Sequence, residues 1–321
     1  MKLSIVVPCY NEDESLPELF QKLETVMRRH NYDYEYIFVD DGSTDRTVAV
    51  LREMRKHSDR VGIISFRRNY GKSAALNTAF RAVDGDVVIT MDADLQDDPE
   101  EIPKLLAKLD EGADLVSGWK VDRKDPISKT LPSKIFNAVT SLVSGIRLHD
   151  FNCGLKAYRR DVVDTLTLYG ELHRFVPVLA GWEGFKVDEI GVRHFKRKYG
   201  YSKFGARRFF NGFFDLITVM FVTRRSLSPL HLFGRIAIVL FTLGVLPQIF
   251  FLFQLLGGKG LHVRPVMLLG FVLIIVAIQI GSIGLLAEMI TSRTAKESTY
   301  AFKEYAVRGE TGPPRRSDVV S

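Results

Sequence analysis

Two apolar runs near the carboxyl terminus constrain this chain most. From Pro229 to Leu256 the only formal charge is Arg235, and from Pro265 to Ile290 it is Glu288. Each run exceeds the ~20 residues that cross a hydrocarbon core as helix. The short segment GGKGLHVR joins them, so the sequence predicts a transmembrane hairpin over residues 229–290, with spans at about 231–255 and 265–290. A pair of core helices in a soluble protein is the alternative, but such helices usually keep a polar face.

Lys/Arg placement orients the hairpin. The connecting loop carries Lys259 and Arg264, whereas Arg224, Arg225 and Arg235 precede or open the first run and Arg293, Lys296, Lys303 and Arg308 follow the second. The positive-inside bias then puts both ends in the cytosol. Met1 to Tyr10 is too short for a secretory signal and leads directly into strand-like sequence. The expectation is a multi-pass protein of the cytoplasmic (inner) membrane with both termini cytosolic. Cys9 and Cys153 show no metal-ligand spacing; they fit a reducing compartment and read as small core hydrophobes.

The net charge of +6 and pI near 9.2 could suggest nucleic acid. Their distribution argues otherwise. Residues 193–208, RHFKRKYGYSKFGARR, hold seven Lys/Arg and no acid, and the aromatic FFNGFFDLITVMF follows at once. A basic stretch beside an apolar segment just before a membrane span fits amphipathic juxtamembrane helices, over about 204–228, that meet anionic headgroups. Membrane lipids are expected partners and nucleic acid is not. The tail, residues 291–321, is read as cytosolic, with TGPPRRSDVVS at its end disordered.

The first half alternates strand-like and helix-like segments. LSIVVPCY, YEYIFVDD, VGIISF, DVVITMDAD and DLVSGW are separated by periodic stretches at about 15–29, 44–57, 73–83 and 99–111, whereas residues 122–210 look less regular. That alternation specifies an α/β domain with a mostly parallel sheet, over about 1–203. In such sheets ligands bind beyond the carboxyl ends of strands. PCYNE, DDGSTD and DADLQ all fall there, so three polar clusters distant in sequence should meet at one crevice.

Two nucleotide motifs fail. GKS at Gly71–Ser73 lacks the first P-loop glycine, because position 66 is Phe66, and no GxGxxG follows the first strand. What remains is an acidic cluster: six of the ten residues from Asp92 to Glu101 are carboxylates. So dense a cluster repels itself unless something positive sits there. Asp92 and Asp94 alternate along an extended segment and share a face, with Gln96 two further on able to turn its amide oxygen the same way. Such hard ligands suit Mg²⁺ or Mn²⁺ bridging to a substrate diphosphate. Asp97, Asp98, Glu100 and Glu101 read instead as favourable charge at a helix start near Pro99.

PCYNE, VDDGSTD, MDADLQDDPE and CGLKAY, in this order, resemble family 2 glycosyltransferases of the GT-A (Rossmann-like) fold. The hairpin narrows the resemblance to the polyprenyl-phosphate glycosyltransferases, such as bacterial undecaprenyl-phosphate glucosyltransferases and dolichol-phosphate mannose synthases. The resemblance implies that Pro8, Tyr10, Asn11 and Glu12 line a nucleotide pocket with Asp92, Ala93 and Asp94. Asp41 would accept the imide N–H of the base, a bond a carboxylate suits, and Asp40 would join it or support the strand end. Lys72 stands where the family places a basic residue near the nucleotide; a solvated helix-start lysine is the alternative.

Asp150 matches the acid of the family's D-x-x-x-G-[FL]-[KR] pattern, which implies a catalytic role with Asp94 and Arg197. A phosphate monoester has a second pKa near ~6 and is largely a dianion at neutral pH, so Asp150 acts either as base or as an orienting group. Arg197, Ser202 and Lys203 match R-x-x-G-x-[ST]-K, which implies a clamp on the acceptor phosphate and on the leaving diphosphate. Arg123, Ser133 and Lys134 fall in the acceptor-loop region, where solvated-loop roles are equally open.

The implied reaction is a metal-dependent, inverting transfer of one sugar from a nucleotide diphosphate sugar, UDP-glucose first, to an undecaprenyl-type phosphate. GDP-mannose and a UDP-aminopentose are the alternative donors. The resemblance also implies a homo-oligomer, with tetramers in the family. A processive polysaccharide synthase would carry Q-x-x-R-W, which neither Trp119 nor Trp182 completes. A nucleotide-sugar-binding scaffold without catalysis is the non-enzymatic rival.

Overall fold

The computed structural model describes residues 1–121, 127–196, 198–199, 229–258, 264–294, 306–307 and 310–311. The alternating segments form β1 (Lys2–Cys9), α1 (Leu16–Arg29), β2 (Asp33–Asp40), α2 (Thr47–His57), β3 (Val61–Ser65), α3 (Lys72–Ala82), β4 (Val87–Thr90), α4 (Ile102–Asp110) and β5 (Leu115–Lys120). Beyond them come α5 (Ile127–Ser144), β6 (Lys156–Arg159), α6 (Arg160–Thr165), α7 (Val176–Trp182) and β7 (Val187–Val192). The strands stand in the order β3-β2-β1-β4-β6-β5-β7. Neighbours run parallel except where β6 is involved, so the sheet is mostly parallel, as expected.

Side chains alternate along a strand. Leu3, Ile5 and Val7 of β1 therefore join one apolar cluster with Leu16, Leu19 and Leu23 of α1, while Val6 joins a second with Ala75, Leu76, Ala79 and Phe80 of α3. Both sheet faces are covered, as parallel strands require. In α1 the buried positions Leu16, Leu19, Leu23, Val26 and Met27 form one helical stripe, and Arg28 and Arg29 occupy the last turn, where the dipole favours cations. Truncating the fully buried Leu19 to alanine would cost about 2–5 kcal/mol. The single helix expected from Pro99 is split into a 3-10 turn, Pro99–Glu101, and α4. Pro103 has no N–H to donate to the carbonyl of Pro99, so one continuous α-helix cannot start there.

Order and direction make the crevice. β2 and β3 follow on one side of β1 while β4 pairs on the other, which puts a topological switch point between β1 and β4. β6 is inserted in reverse between β4 and β5, pairing Thr90 with Lys156 and Ser117 with Lys156. The segment that leads into β6, residues 150–155, thus reaches the edge where the parallel strands end.

The second unit, Met220–Thr299, contains α8 (Pro229–Leu256) and α9 (Pro265–Thr294). Its candidate spans, Phe233–Leu256 (24 residues, mean hydropathy 2.4) and Pro265–Ile290 (26 residues, mean hydropathy 2.7), are long and apolar enough for a transmembrane hairpin. Bulky apolar side chains such as Ile238, Phe253, Leu269 and Ile290 are exposed, unlike those of soluble core helices. The pair locks through small residues: a methyl built on Gly244 would lie 2.7 Å from the Gly270 carbonyl oxygen. Gln248 Nε2 donates across to the Met267 carbonyl at 2.8 Å. Glu288, the charge in the second apolar run, accepts from the Leu230 N–H at 3.3 Å, where the start of α8 favours an anion. The expected boundaries at 203 and 228 fall outside the described residues.

Candidate active site

The loops after β1 and β2 are laced together. Asn11, in the left-handed region at φ 56°, donates its N–H to Ser43 Oγ (2.9 Å) and accepts the Thr44 N–H on Oδ1 (2.8 Å). The Glu12 N–H donates to Thr47 Oγ1, and Glu12 Oε2 accepts from Ser15 Oγ at 2.7 Å. Pro8 and Tyr10 are half-buried beside them. Asp40 and Asp41 are both buried but differ in what they hold. Asp40 accepts from the Ser43 N–H (3.1 Å) and Ser65 Oγ (2.7 Å), so both its oxygens brace the strand end. This is the strand-end support left open for Asp40 by the sequence. Asp41 accepts the N–H groups of Tyr70 (2.7 Å) and Gly71 (2.9 Å), fixing the entry to α3.

Lys72, the first residue of α3, reaches across and forms a short ion pair with Asp92 Oδ1. Behind it, the Ser73 hydroxyl lies 3.0 Å from His173 Nδ1 and accepts the His173 N–H at 3.0 Å, clipping the helix start to the 172–175 turn. Burial alone would push the Asp92 carboxyl up. The charges of Lys72, Lys120 and Lys156 outweigh it and bring the group down to about 2. Lys120 is affected oppositely: burial would lower it, but Asp97, Asp150 and Asp92 hold it above the usual lysine range. Lys156 is buried and pushed down by desolvation and by Lys72, and its ammonium bonds the Cys153 carbonyl.

Asp98, Glu100 and Glu101 are neutralised by partners of their own. Asp98 caps the 3-10 turn by accepting the Glu100 N–H (3.1 Å) and pairs with Arg193 (3.0 Å). The fully buried Glu101 is held by Lys104 (2.6 Å) and Arg193 (2.7 Å), and Glu100 by Arg29 (2.7 Å). Asp97 Oδ1 faces His194 Nδ1 at 3.4 Å. The helix-start reading therefore covers part of the cluster; Arg193, 92 positions beyond Glu101, holds Asp98 and Glu101 from outside it.

Gln96 Nε2 donates to the Phe195 carbonyl at 3.2 Å and lies 3.3 Å from His194 Nε2, which ties the amide nitrogen to the 194–195 segment. β4 ends at Thr90, and Leu95 adopts φ 60° with its side chain buried, which breaks the extended alternation. The Ala93 methyl packs into the core cluster. Asp94 is buried and accepts the Gln96 N–H at 3.2 Å.

Asp150 is buried and folds back to accept the Asn152 N–H at 3.0 Å, while its carbonyl accepts from Ser117 Oγ at 3.4 Å. The Gly154 carbonyl accepts from Thr90 Oγ1 (2.9 Å), which places the bare α-carbon of Gly154 against Asp92. Ser133 lies half-buried in α5. Arg123, Arg197, Ser202 and Lys203, and the side chain of Lys134, lie outside the described residues. Lys120, Lys156, His173 and Arg193 were not singled out by sequence reasoning; only the CGLKAY segment carried a signal, for Lys156.

Asp92 and Asp94 supply hard carboxylate oxygens of the kind Mg²⁺ and Mn²⁺ accept. Among the described residues no group of three His, Cys, Asp or Glu is placed to cage a metal. Two carboxylates completed by substrate phosphate and water form a set that fits such an ion. A separate cavity of about 460 Å³, lined by Val48, Arg52, Arg55, Lys56, Ile63 and Ser65, lies on the β3 edge and contains none of these carboxylates.

The family model described as Glycosyl transferase family 2 matches residues 4–167. Dodecaprenyl-phosphate galacturonate synthase of Rhizobium johnstonii is 35% identical over 317 residues, 96% of this chain and 92% of the relative. Undecaprenyl-phosphate 4-deoxy-4-formamido-L-arabinose transferase of Pseudomonas fluorescens is 40% identical over 245 residues, 76% and 71% of the two chains. Among solved structures, glucosyl-3-phosphoglycerate synthase from Mycobacterium tuberculosis, in complex with Mn²⁺, UDP-Glc and phosphoglyceric acid, superposes with TM-score 0.52 at 20% identity, covering 67% of this chain and 79% of that one. At that identity the likeness concerns the fold.

Proposed function

The chain belongs to glycosyl transferase family 2, and from that premise we propose that it transfers one sugar from a nucleotide diphosphate donor to a polyprenyl phosphate at a membrane surface. The observation that carries this most is the pairing of Lys72 with Asp92 at the β1/β4 switch point, in a chain whose relatives are named for polyprenyl-phosphate products. A phosphate oxygen of the acceptor attacks the anomeric carbon, and the bond to the diphosphate breaks with its electron pair. One displacement inverts the configuration. Lys72, Lys120 and Lys156 supply positive charge near the departing diphosphate. Asp41 addresses the base, and Asp150 orients a basic group or the sugar. Asp92 and Asp94 hold Mg²⁺ or Mn²⁺, which when bound neutralises diphosphate charge. Arg197, Ser202 and Lys203 grip the acceptor phosphate.

The relatives' names carry galacturonate and 4-deoxy-4-formamido-L-arabinose, so the uridine diphosphates of these sugars stand ahead of UDP-glucose and GDP-mannose as donors. The catalytic domain stays on the cytosolic side of the inner membrane, both termini with it, and the hairpin anchors it. The test is purified full-length protein in detergent with Mn²⁺, undecaprenyl phosphate and each of the four donors, with lipid-linked sugar identified by mass. Product from none of them, with nucleotide binding intact, would overturn the reading.

A further inference from the structure

Lys72 belongs to two circuits at once. Through the backbone it is mounted on the loop that Asp41 holds by the N–H groups of Tyr70 and Gly71. Through its ammonium it occupies Asp92 Oδ1. Asp92 has little room to turn away, because Gly154 closes on the carboxylate so tightly that a methyl there would sit 2.5 Å from Oδ2. The Ser73–His173 clip keeps the helix itself in place. Gly71, at φ 92° and with open space around its α-carbon, leaves the residue just before Lys72 unencumbered.

A lysine ammonium and a divalent cation seek the same carboxylate oxygens, and an ammonium also binds diphosphate. Resting on the function proposed above, we infer that Lys72 holds Asp92 in the place of the metal until the donor arrives, then passes to the diphosphate, so that metal and nucleotide bind as a pair. Asp41, where the base would bind, holds the N–H of Gly71, the residue next to the lysine that must move. The coupling runs both ways, since whatever draws Lys72 off Asp92 favours the other ligand by the same factor.

Mn²⁺ binding to full-length protein in detergent, read by electron paramagnetic resonance with and without UDP, tests this. Without nucleotide, Lys72→Met and Lys72→Gln should bind Mn²⁺ about tenfold more tightly than wild type, a typical coupling. Lys120→Met, which removes a nearby charge not bonded to Asp92, should gain far less. Unchanged affinity in both folded Lys72 variants would overturn the inference. So would an equal gain in Lys120→Met, which would mean only a field effect. Absence of bound Mn²⁺ in wild type with UDP would instead overturn the metal reading itself, and the inference with it.

Discussion

Gly154 presents its bare α-carbon to the carboxylate of Asp92, where a built methyl would stand 2.5 Å from Oδ2 and 2.6 Å from Cγ. A carboxylate pinned by Lys72 cannot give way cheaply. Gly154→Ala should therefore cost about 1–3 kcal/mol of stability, the usual range for overpacking, and displace Asp92. We expect sugar transfer to fall at least tenfold (~1.4 kcal/mol in barrier terms) while the protein stays folded. Full activity in the alanine variant would show that the position of Asp92 is not critical.

Asp94→Asn removes an anionic ligand without opening a cavity. Transfer should nearly vanish at saturating Mn²⁺, because a catalytic metal supplies several kcal/mol, while the thermal unfolding midpoint stays put. More than about a tenth of wild-type activity remaining would sink the metal assignment.

Arg193 serves two acids, Asp98 and the fully buried Glu101. Arg193→Ala leaves Glu101 with Lys104 alone, and an under-satisfied buried charge costs about 1–3 kcal/mol. Chemical denaturation should show that loss. A change within about 0.5 kcal/mol would class the contact with ordinary surface pairs.

His173 is driven well below its ordinary 6.5 by burial and by Lys72 and Arg174, with Asp92 opposing weakly. A depressed folded-state pKa means that below 6.5 the unfolded chain takes up a proton that the folded one refuses, so stability is present above that pH and declines as pH falls. Unfolding midpoints from pH 7.5 to 5 should drop in wild type. His173→Asn keeps an acceptor for Ser73 and should flatten that part of the curve; an unaltered slope would assign the loss elsewhere.

For topology, reporter fusions at the C-terminus and at Gly258 should place the first in the cytosol and the second across the membrane. A periplasmically active reporter at the C-terminus would reverse the arrangement and separate the nucleotide site from its donor pool.

The first five strands and four helices were readable because parallel strands buried on both faces make continuous apolar runs, and α1 repeats its Leu and Met at helical spacing. β6 was not: four residues sandwiched between neighbours carry no period to detect. Asp92, Asp94 and Lys72 could be singled out by type and position, but the contact between Lys72 and Asp92 is tertiary. The alternation read from Asp92 to Gln96 does not hold beyond Thr90, where the strand ends: it passes through a leucine whose left-handed backbone no side-chain pattern announces. Arg193 and His194 were assigned to a lipid-facing run, and only the fold reveals that the first two residues of that run close over the acidic loop.

The reversed strand β6 also separates what can vary from what cannot. Chain between Lys120 and Lys156 leaves the sheet at one ladder and returns at the adjacent one, with Ser117 and Lys156 paired at its base. Loop-closure entropy grows by only about 0.6 kcal/mol per doubling of length. Changing the length of that excursion ahead of Asp150 therefore costs little, whereas its last stretch, residues 150–155, is fixed by the crevice it closes: Gly154 lies bare against Asp92 and its carbonyl is held by Thr90.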